Sequence, residues 1–543
     1  MSMPFPGLPD PVAGSHPAVV GQRARERLLL CLTVLLPAAL ALAISLELPT
    51  PSIRNVAEVI GGIVGVTAVV ALTRSRRYTV TLTLLALYLG LLDGPIKLLT
   101  GSKYASGFRD VFMLAIAVGM LTRLSLKRER ITLPPLSGWV LAFVAVVLVE
   151  ALNPGTASAL KALGGYRQQL EFVPVFFFGY LIVRSRQRFR QLFLVLGVIA
   201  LANGVVGAVQ WRLSPAALAH WGPGYQQRIA GPGGRTYSAE GVSHPRPPAL
   251  GSDAGFGAGV GVIALPGLIA LLTVGRLRRR WPVVLCSLGA LVGIATSASR
   301  SSIVDLLVAF ASYVALSLLV RLRVSRALGG LLVTIALAGS VAAVLVVTDG
   351  AGIFKRQADI THALGGVSEE ATGEQQQEEG EQGGGDAKVK HLSQIPSDIA
   401  HEPLGLGLGS AGAVSGFGGK VSKTVEEEKV SGGSAYNLLT VELGLPGLVL
   451  WIGFTINVLL LALGRLKRIE DPELRTYLVA ILATFISLTV EGLAGPTLAV
   501  TPPGVVLWFV PGVLAYWLAG PGRKAMTSSG SRPPAAARPA LAS

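Results

Sequence analysis

The sequence predicts an all-α fold: a polytopic transmembrane helical bundle of about 14 spans, with both termini cytoplasmic and one large external loop. Three observations point there. The 543 residues are 51% hydrophobic and only 14% charged, with a mean hydropathy of +0.58, whereas soluble domains carry about 25% charged residues. Apolar runs of about 20 residues recur, long enough to cross about 30 Å of hydrocarbon as helices. Basic clusters sit at alternate junctions between those runs. Helices are the expected spanning form because lipid offers no partner to an unpaired backbone group.

Taken in order, residues 1–27 form a cytoplasmic tail carrying Arg23, Arg25 and Arg27. That start resembles a signal peptide, but the apolar run after it is too long for one, so an uncleaved first span is expected. Spans are read at 28–46, 56–73, 78–93, 110–122 and 136–152, making an N-terminal transmembrane region 28–152. A second group at 172–183, 192–210, 254–274, 281–298, 302–320 and 327–347 makes a transmembrane core 153–347. Three more, at 446–464, 476–492 and 503–519, make a C-terminal region 436–519. The sixth run is short, and the twelfth has room to begin earlier.

Alternate junctions carry "RSRR" (74–77), "RLSLKRER" (123–130), "RSRQRFR" (184–190), "RLRRR" (276–280), "RLRVSR" (321–326) and "RLKR" (465–468). With the tails these hold more than half of the 47 Lys and Arg, which by the positive-inside rule places that side in the cytoplasm. The net charge of +16 is spread over short clusters, without the patch of interleaved aromatics that nucleic acid requires. Cys31 and Cys286 both fall in apolar runs and read as packing residues.

Three external segments are long. Residues 153–171 contain an interfacial helix with Lys161 and Arg167. Residues 211–253 are rich in Gly and Pro. The largest, 348–435, includes the acidic, Gly/Gln-rich stretch "SEEATGEQQQEEGEQGGGDAKVK", which has almost nothing to bury and reads as disordered, as does the tail 520–543. "GPGGR" (231–235) and "GLGLGSAG" (405–412) read as turns, since neither lies between a strand and a helix. The external histidines lack metal-ligand spacing.

What remains is a set of external arginines, Arg109, Arg167, Arg246 and Arg300, each near the end of a span. In "GIATSASRSSIVDLL" (293–307), Arg300 has no acidic residue within four positions on either side. A guanidinium stays charged and offers a planar fork that matches phosphate oxygens. At 4 Å and an effective dielectric near 20, each charge pair is worth about 4 kcal/mol, nearly a thousandfold in rate if the pairing forms only in the transition state. The competing reading is local neutralisation: Arg109 by Asp110 or Asp93, Arg300 by Asp305, Arg246 by Asp253, or simple interfacial snorkelling.

"HPRPPALGSDAGFGAGVGVIALPGLIALL" (244–272), "TSASRSSIVDLL" (296–307), "HEPLGLGLGSAG" (401–412) and "SAYNLLTVELGLPGLVLWIGF" (434–454) together resemble the O-antigen ligase and O-antigen polymerase superfamily, in the expected order and over residues 160–460. The resemblance implies a metal-independent, inverting membrane glycosyltransferase that needs no cofactor. It would act at the outer face of the plasma (inner) membrane on a glycan carried by undecaprenyl diphosphate, with a glycan or lipid acceptor. Other polysaccharide-assembly proteins would be further partners, and nucleic acid would not be one.

By the same resemblance, Arg246 and Arg300 would bind the diphosphate, with Arg167 a weaker third. Ligases of the superfamily place a histidine before the asparagine of the "AYN" position; here it is Tyr436. A phenol of ordinary pKa near 10 is a poor base at neutral pH, so His401, Glu442 and His391 stand as other candidates for the base. Polymerase and ligase, in O-antigen, capsule or exopolysaccharide assembly, both stay open, and the departure tilts the reading toward a polymerase or exopolysaccharide assembly. Two other classes fit less well: a flippase or transporter of lipid-linked sugars, which would show two related halves, and a non-catalytic scaffold of an assembly complex.

Overall fold

The structure, a computed structural model, describes residues 78–101, 109–110, 112–113, 116–117, 133–156, 158–230, 236–239, 242–274, 280–297, 299–322, 336, 385–414 and 433–522. The expected spans 28–46 and 56–73, 327–347 apart from residue 336, most of 110–122, and the acidic stretch of the large loop up to residue 384 lie outside these. The end of that stretch, 385–390, expected to be disordered, is instead the start of a helix that runs on to His401. Residues 1–84 with 114–127 form one unit and residues 85–113 with 128–543 another. In the first, the described residues 78–84 and 116–117 are helical.

The described helices are α1 (Tyr78–Leu87), α2 (Asp93–Thr100), α3 (Ser137–Glu150), α4 (Ala159–Leu170), α5 (Pro174–Ile182), α6 (Arg186–Trp211), α7 (Pro215–Ala219), α8 (Pro223–Arg228), α9 (Phe256–Val274), α10 (Trp281–Thr296), α11 (Arg300–Leu319), α12 (Gly385–His401), α13 (Ala435–Arg465), α14 (Pro472–Glu491) and α15 (Pro503–Leu514). A short antiparallel hairpin, β1 (Thr236–Ala239) and β2 (Val242–Pro245), precedes α9. Six helices among the described residues are long and apolar enough to cross a membrane: Leu82–Thr100, Arg186–Trp211, Phe256–Val274, Ser301–Leu319, Ala435–Arg468 and Pro472–Glu491. Shorter apolar helices occupy Ser137–Glu150, Trp281–Thr296 and Pro503–Ala519. The chain is a helical membrane protein.

Four boundaries differ from expectation; the largest is the span expected at 446–464, which begins at Ala435 and is broken at Gly444. The run expected at 78–93 continues to Thr100, because Lys97 Nζ donates to Asp93 Oδ2 at 2.6 Å one turn away and neutralises it inside the bundle. The span expected at 172–183 is the nine-residue α5, about 13 Å long and short of the hydrocarbon thickness on its own. The span expected at 192–210 starts two turns earlier, at Arg186. Arg186 and Arg190 are neutralised by Asp471 (2.7 Å) and Glu473 (2.6 Å) at the start of α14.

α6 and α10 run parallel and very close. A Cβ on Gly204 would collide with the carbonyl of Gly289, so small residues set this approach, as in many membrane helix pairs. α9 packs antiparallel on both, α14 antiparallel on α11, and α3 antiparallel on α13. Helix ends thereby sort into two groups. At one end, Arg190 meets Glu473, Arg465 donates to the Leu518 carbonyl (2.8 Å), Arg475 to that of Val320 (3.1 Å) and Trp517 to that of Val183 (2.7 Å). The other end gathers the residues considered next.

Candidate functional site

Arg246 follows directly on β2 and is half-buried. The backbone after it is held by side-chain amides from α6. Gln210 donates to the Ala249 carbonyl (3.0 Å) and accepts from its N–H (2.8 Å), and Asn203 accepts from Leu250 N–H (3.0 Å). Ala249 takes a left-handed φ of 54° there. Beneath it, α2 presents Gly94, where any Cβ would run into the backbone of Leu250 and Gly251. The same loop then reaches Gly255, whose Cβ position lies 4.0 Å from Ser299 Cβ, next to Arg300 at the start of α11. The segments bearing Arg246 and Arg300 therefore border one loop; of the Arg300 side chain itself nothing is described.

The second part of the site is built on α4. Ser158 caps the helix by accepting from Lys161 N–H (3.2 Å), as expected of a serine at this position. Its polarity is inverted: Leu160 (55%) and Leu163 (60%) are exposed while Lys161 (2%) is buried. That is the arrangement for a helix whose outer surroundings are lipid. The inner face meets the glycine turn 405–412, in which Gly405, Gly407, Gly409 and Gly412 all take positive φ. Asn153 donates to the Gly405 carbonyl (3.1 Å), Thr156 accepts from Leu408 N–H (3.1 Å), and Lys161 donates to the Gly409 carbonyl (3.5 Å).

At the centre is Glu442, fully buried. Its Oε1 accepts from Gln168 Nε2 (3.0 Å), Gly409 N–H (3.1 Å) and Ala411 N–H (3.4 Å), and its Oε2 from Gln169 Nε2 (2.7 Å). Two residues on, Gly444 breaks α13 with φ 60° and ψ −157°, a conformation that only glycine adopts readily. The break lets Leu445 N–H reach the Pro403 carbonyl (2.9 Å) while Val441 accepts from Leu406 N–H (2.7 Å).

The C-terminal turn of α4 leads to a group of charges. Arg167 pairs with Asp110 (2.8 Å). Arg109, 9% exposed, donates from Nη2 to Glu171 Oε2 (2.7 Å), from Nε pairs with the other oxygen of Glu171, and from Nη1 donates to Thr501 Oγ1 (3.3 Å). Burial pushes the Glu171 carboxyl up to about 7, against the pull of Arg109. Burial works against the Arg109 guanidinium, but Glu171, Asp93 and Asp110 together outweigh it and raise its pKa.

The base candidates fall differently. His401 closes α12 and is exposed; its Nδ1 lies 2.8 Å from the Ser397 carbonyl. A carbonyl only accepts, so Nδ1 carries the proton and Nε2 of the neutral ring keeps its lone pair. The Tyr436 hydroxyl donates to the Thr489 carbonyl (3.2 Å). His391 lies in α12, its side chain outside the described residues. Asp398, one turn before His401, accepts from Asn437 Nδ2 (3.4 Å) and docks α12 on the start of α13.

The structure thus ties Glu442 to the turn of α4 that carries Arg167. It joins the end of α12, with His401, to the start of α13, with Tyr436, through Asp398 and Asn437, and brings the segments of Arg246 and the start of α11 to one loop at the same end. Thr501–Pro502 lies between the two. Thr501 holds Arg109, and Pro502 lies 3.7 Å from the Cβ position of Gly259 on α9. Sequence reasoning missed Glu171, Gln168, Gln169 and Asp398. For Gln168 a signal existed: Lys161, Gly164, Gly165 and Gln168 recur at i, i+3, i+4 and i+7, marking one polar and small face on α4. Among the described residues no group of three or more His, Cys, Asp or Glu is placed to hold a metal ion.

Compared with known proteins, the chain matches no family model, no curated protein and no solved structure.

Proposed function

We propose that the chain is a membrane glycosyltransferase that extends or transfers glycans carried on undecaprenyl diphosphate. It works at the outer face of the plasma membrane in the assembly of O-antigen, capsule or another exopolysaccharide. In this reading the bundle has about 14 spans with both termini in the cytoplasm, and the end that gathers the site faces outward.

One observation carries the reading. The loop after Arg246, the Ser299–Arg300 turn, the glycine turn 405–412 and the start of α13 collect at one end of the bundle. They are far apart in sequence and are the segments that carry the superfamily resemblance. Two further features support it: Arg109, Arg167 and Arg246 stand at that end with the start of α11, and the exposed His401 closes α12 on the same rim.

The chemistry follows from these groups. An acceptor hydroxyl attacks the anomeric carbon, the carbon–oxygen bond to the diphosphate breaks, and the configuration inverts. Arg246 and Arg300 neutralise the charge that grows on the departing diphosphate. His401 Nε2 takes the hydroxyl proton. Because a diphosphate leaves readily, no acid is needed on that side. Tyr436 anchors α13 to α14 through Thr489, in keeping with its weakness as a base.

The test is a deletion strain whose surface glycan is sized on a gel. Loss of long chains with a single repeat retained identifies a polymerase, and a full polymer stranded on its lipid carrier identifies a ligase. An unchanged surface glycan contradicts both.

A further inference from the structure

We infer that Glu442 is a positioning residue: a buried latch that locks the glycine turn 405–412 to α4 and so fixes the arginines at the end of that helix. Four donors converge on its two oxygens, from Gly409, Ala411, Gln168 and Gln169. No part of it is exposed, so a sugar hydroxyl has no path to it. The concavity formed by the Gly409 and Ala411 N–H groups is one that elsewhere binds anions; here the chain's own carboxylate fills it. Gln168 strengthens the closure by also donating to the Ala411 carbonyl (3.2 Å).

The consequence runs along α4. Gln168 and Gln169 stand between Arg167 and Glu171, and a helix advances about 100° per residue, so pinning two successive amides fixes the rotation of the whole turn. That turn aims Arg167 at Asp110 and Glu171 at Arg109. Glu442 thereby orients two arginines it does not touch. Gly165 permits the approach, since a Cβ there would come within 2.6 Å of Gly409 N. The importance of Arg167, the third phosphate candidate, to turnover rests on the transferase reading; the latch itself does not.

Glu442→Gln separates a latch from a base. The glutamine carbonyl oxygen still accepts from Gly409, Ala411 and Gln168, and its amide faces Gln169, which turns its own amide over to accept. A latch therefore survives this change, whereas a general base does not. Glu442→Ala removes every partner. The experiment compares the full-length wild type, Glu442→Gln, Glu442→Ala and the swap Glu442→Gln/Gln169→Glu in bilayer vesicles. It reads hydrogen exchange at residues 405–412 together with glycan chain length in cells. Expected are native protection and near-native chains in Glu442→Gln and in the swap. In Glu442→Ala exchange quickens by about tenfold or more and long chains are lost. Loss of chains in Glu442→Gln with native protection would overturn the inference in favour of a chemical role, and native protection in Glu442→Ala would overturn it outright. A gene deletion that leaves the glycan unchanged removes the transferase reading, while the exchange data still decide the latch.

Discussion

Arg109 and Glu171, 62 residues apart in sequence, close on each other through two guanidinium nitrogens, with the Phe172 ring 5.6 Å from the guanidinium carbon. The pair is almost sealed from solvent, so each charge depends on the other. Removing one partner of such a pair costs about 3–5 kcal/mol, while replacing both with apolar groups costs far less. Thermal unfolding in detergent at pH 8 is expected to show a large loss for Arg109→Ala or Glu171→Gln and partial recovery in Arg109→Met/Glu171→Met. Additive losses would contradict the coupling.

Gly94 should tolerate no side chain. Its Cβ would enter the backbone that follows Arg246, with Gly251 Cα at 2.5 Å, and overpacking of this kind costs about 1–3 kcal/mol. Gly94→Ala is expected to fold with a lowered Tm and to lose chain extension as Arg246→Ala does. Native activity in Gly94→Ala would mean that α2 does not set the position of Arg246.

Arg246→Ala and Arg300→Ala are each expected to abolish chain extension at normal expression, measured by gel and immunoblot. Lysine at either position is expected to restore only part, since a point charge cannot make the two parallel bonds of a guanidinium. Full activity in either alanine variant ends the diphosphate-clamp account.

Tyr436→Phe removes one hydrogen bond, to Thr489, worth about 0.5–1.5 kcal/mol. Turnover is expected to hold while the Tm falls slightly. His401→Ala is expected to lower kcat by about 10²–10⁴-fold, the usual range for a lost general base. The opposite pattern would exchange the roles given to these two residues.

Much of the fold is legible in the sequence where lipid dictates composition: α9, α11 and α14 begin and end within a few residues of their apolar runs. It fails where a charge is neutralised by a distant partner. Arg186 and Arg190 read as a junction because Glu473, 283 residues from Arg190, is invisible from their neighbourhood. Asp93 reads as an end because a span is expected to exclude it, yet Lys97 pairs with it inside. The site divides in the same way. Arg246 and Arg300 are visible in the sequence as cations beside small-residue turns, and the fold brings their segments to one loop. Arg109 is legible, but its partner Glu171 is not, since only folding brings the two together. Glu442 is visible as a carboxylate, whereas its role depends on four donors from two other segments.

The sidedness of the arginine cluster is tested most directly by alkaline phosphatase fused after residue 245 and, separately, after residue 299. Both fusions are expected to be active, which requires those positions to lie outside the cytoplasm. Inactive enzyme at both, with activity restored by fusions at residues 188 and 467, would place the arginines in the cytosol and contradict the whole reading.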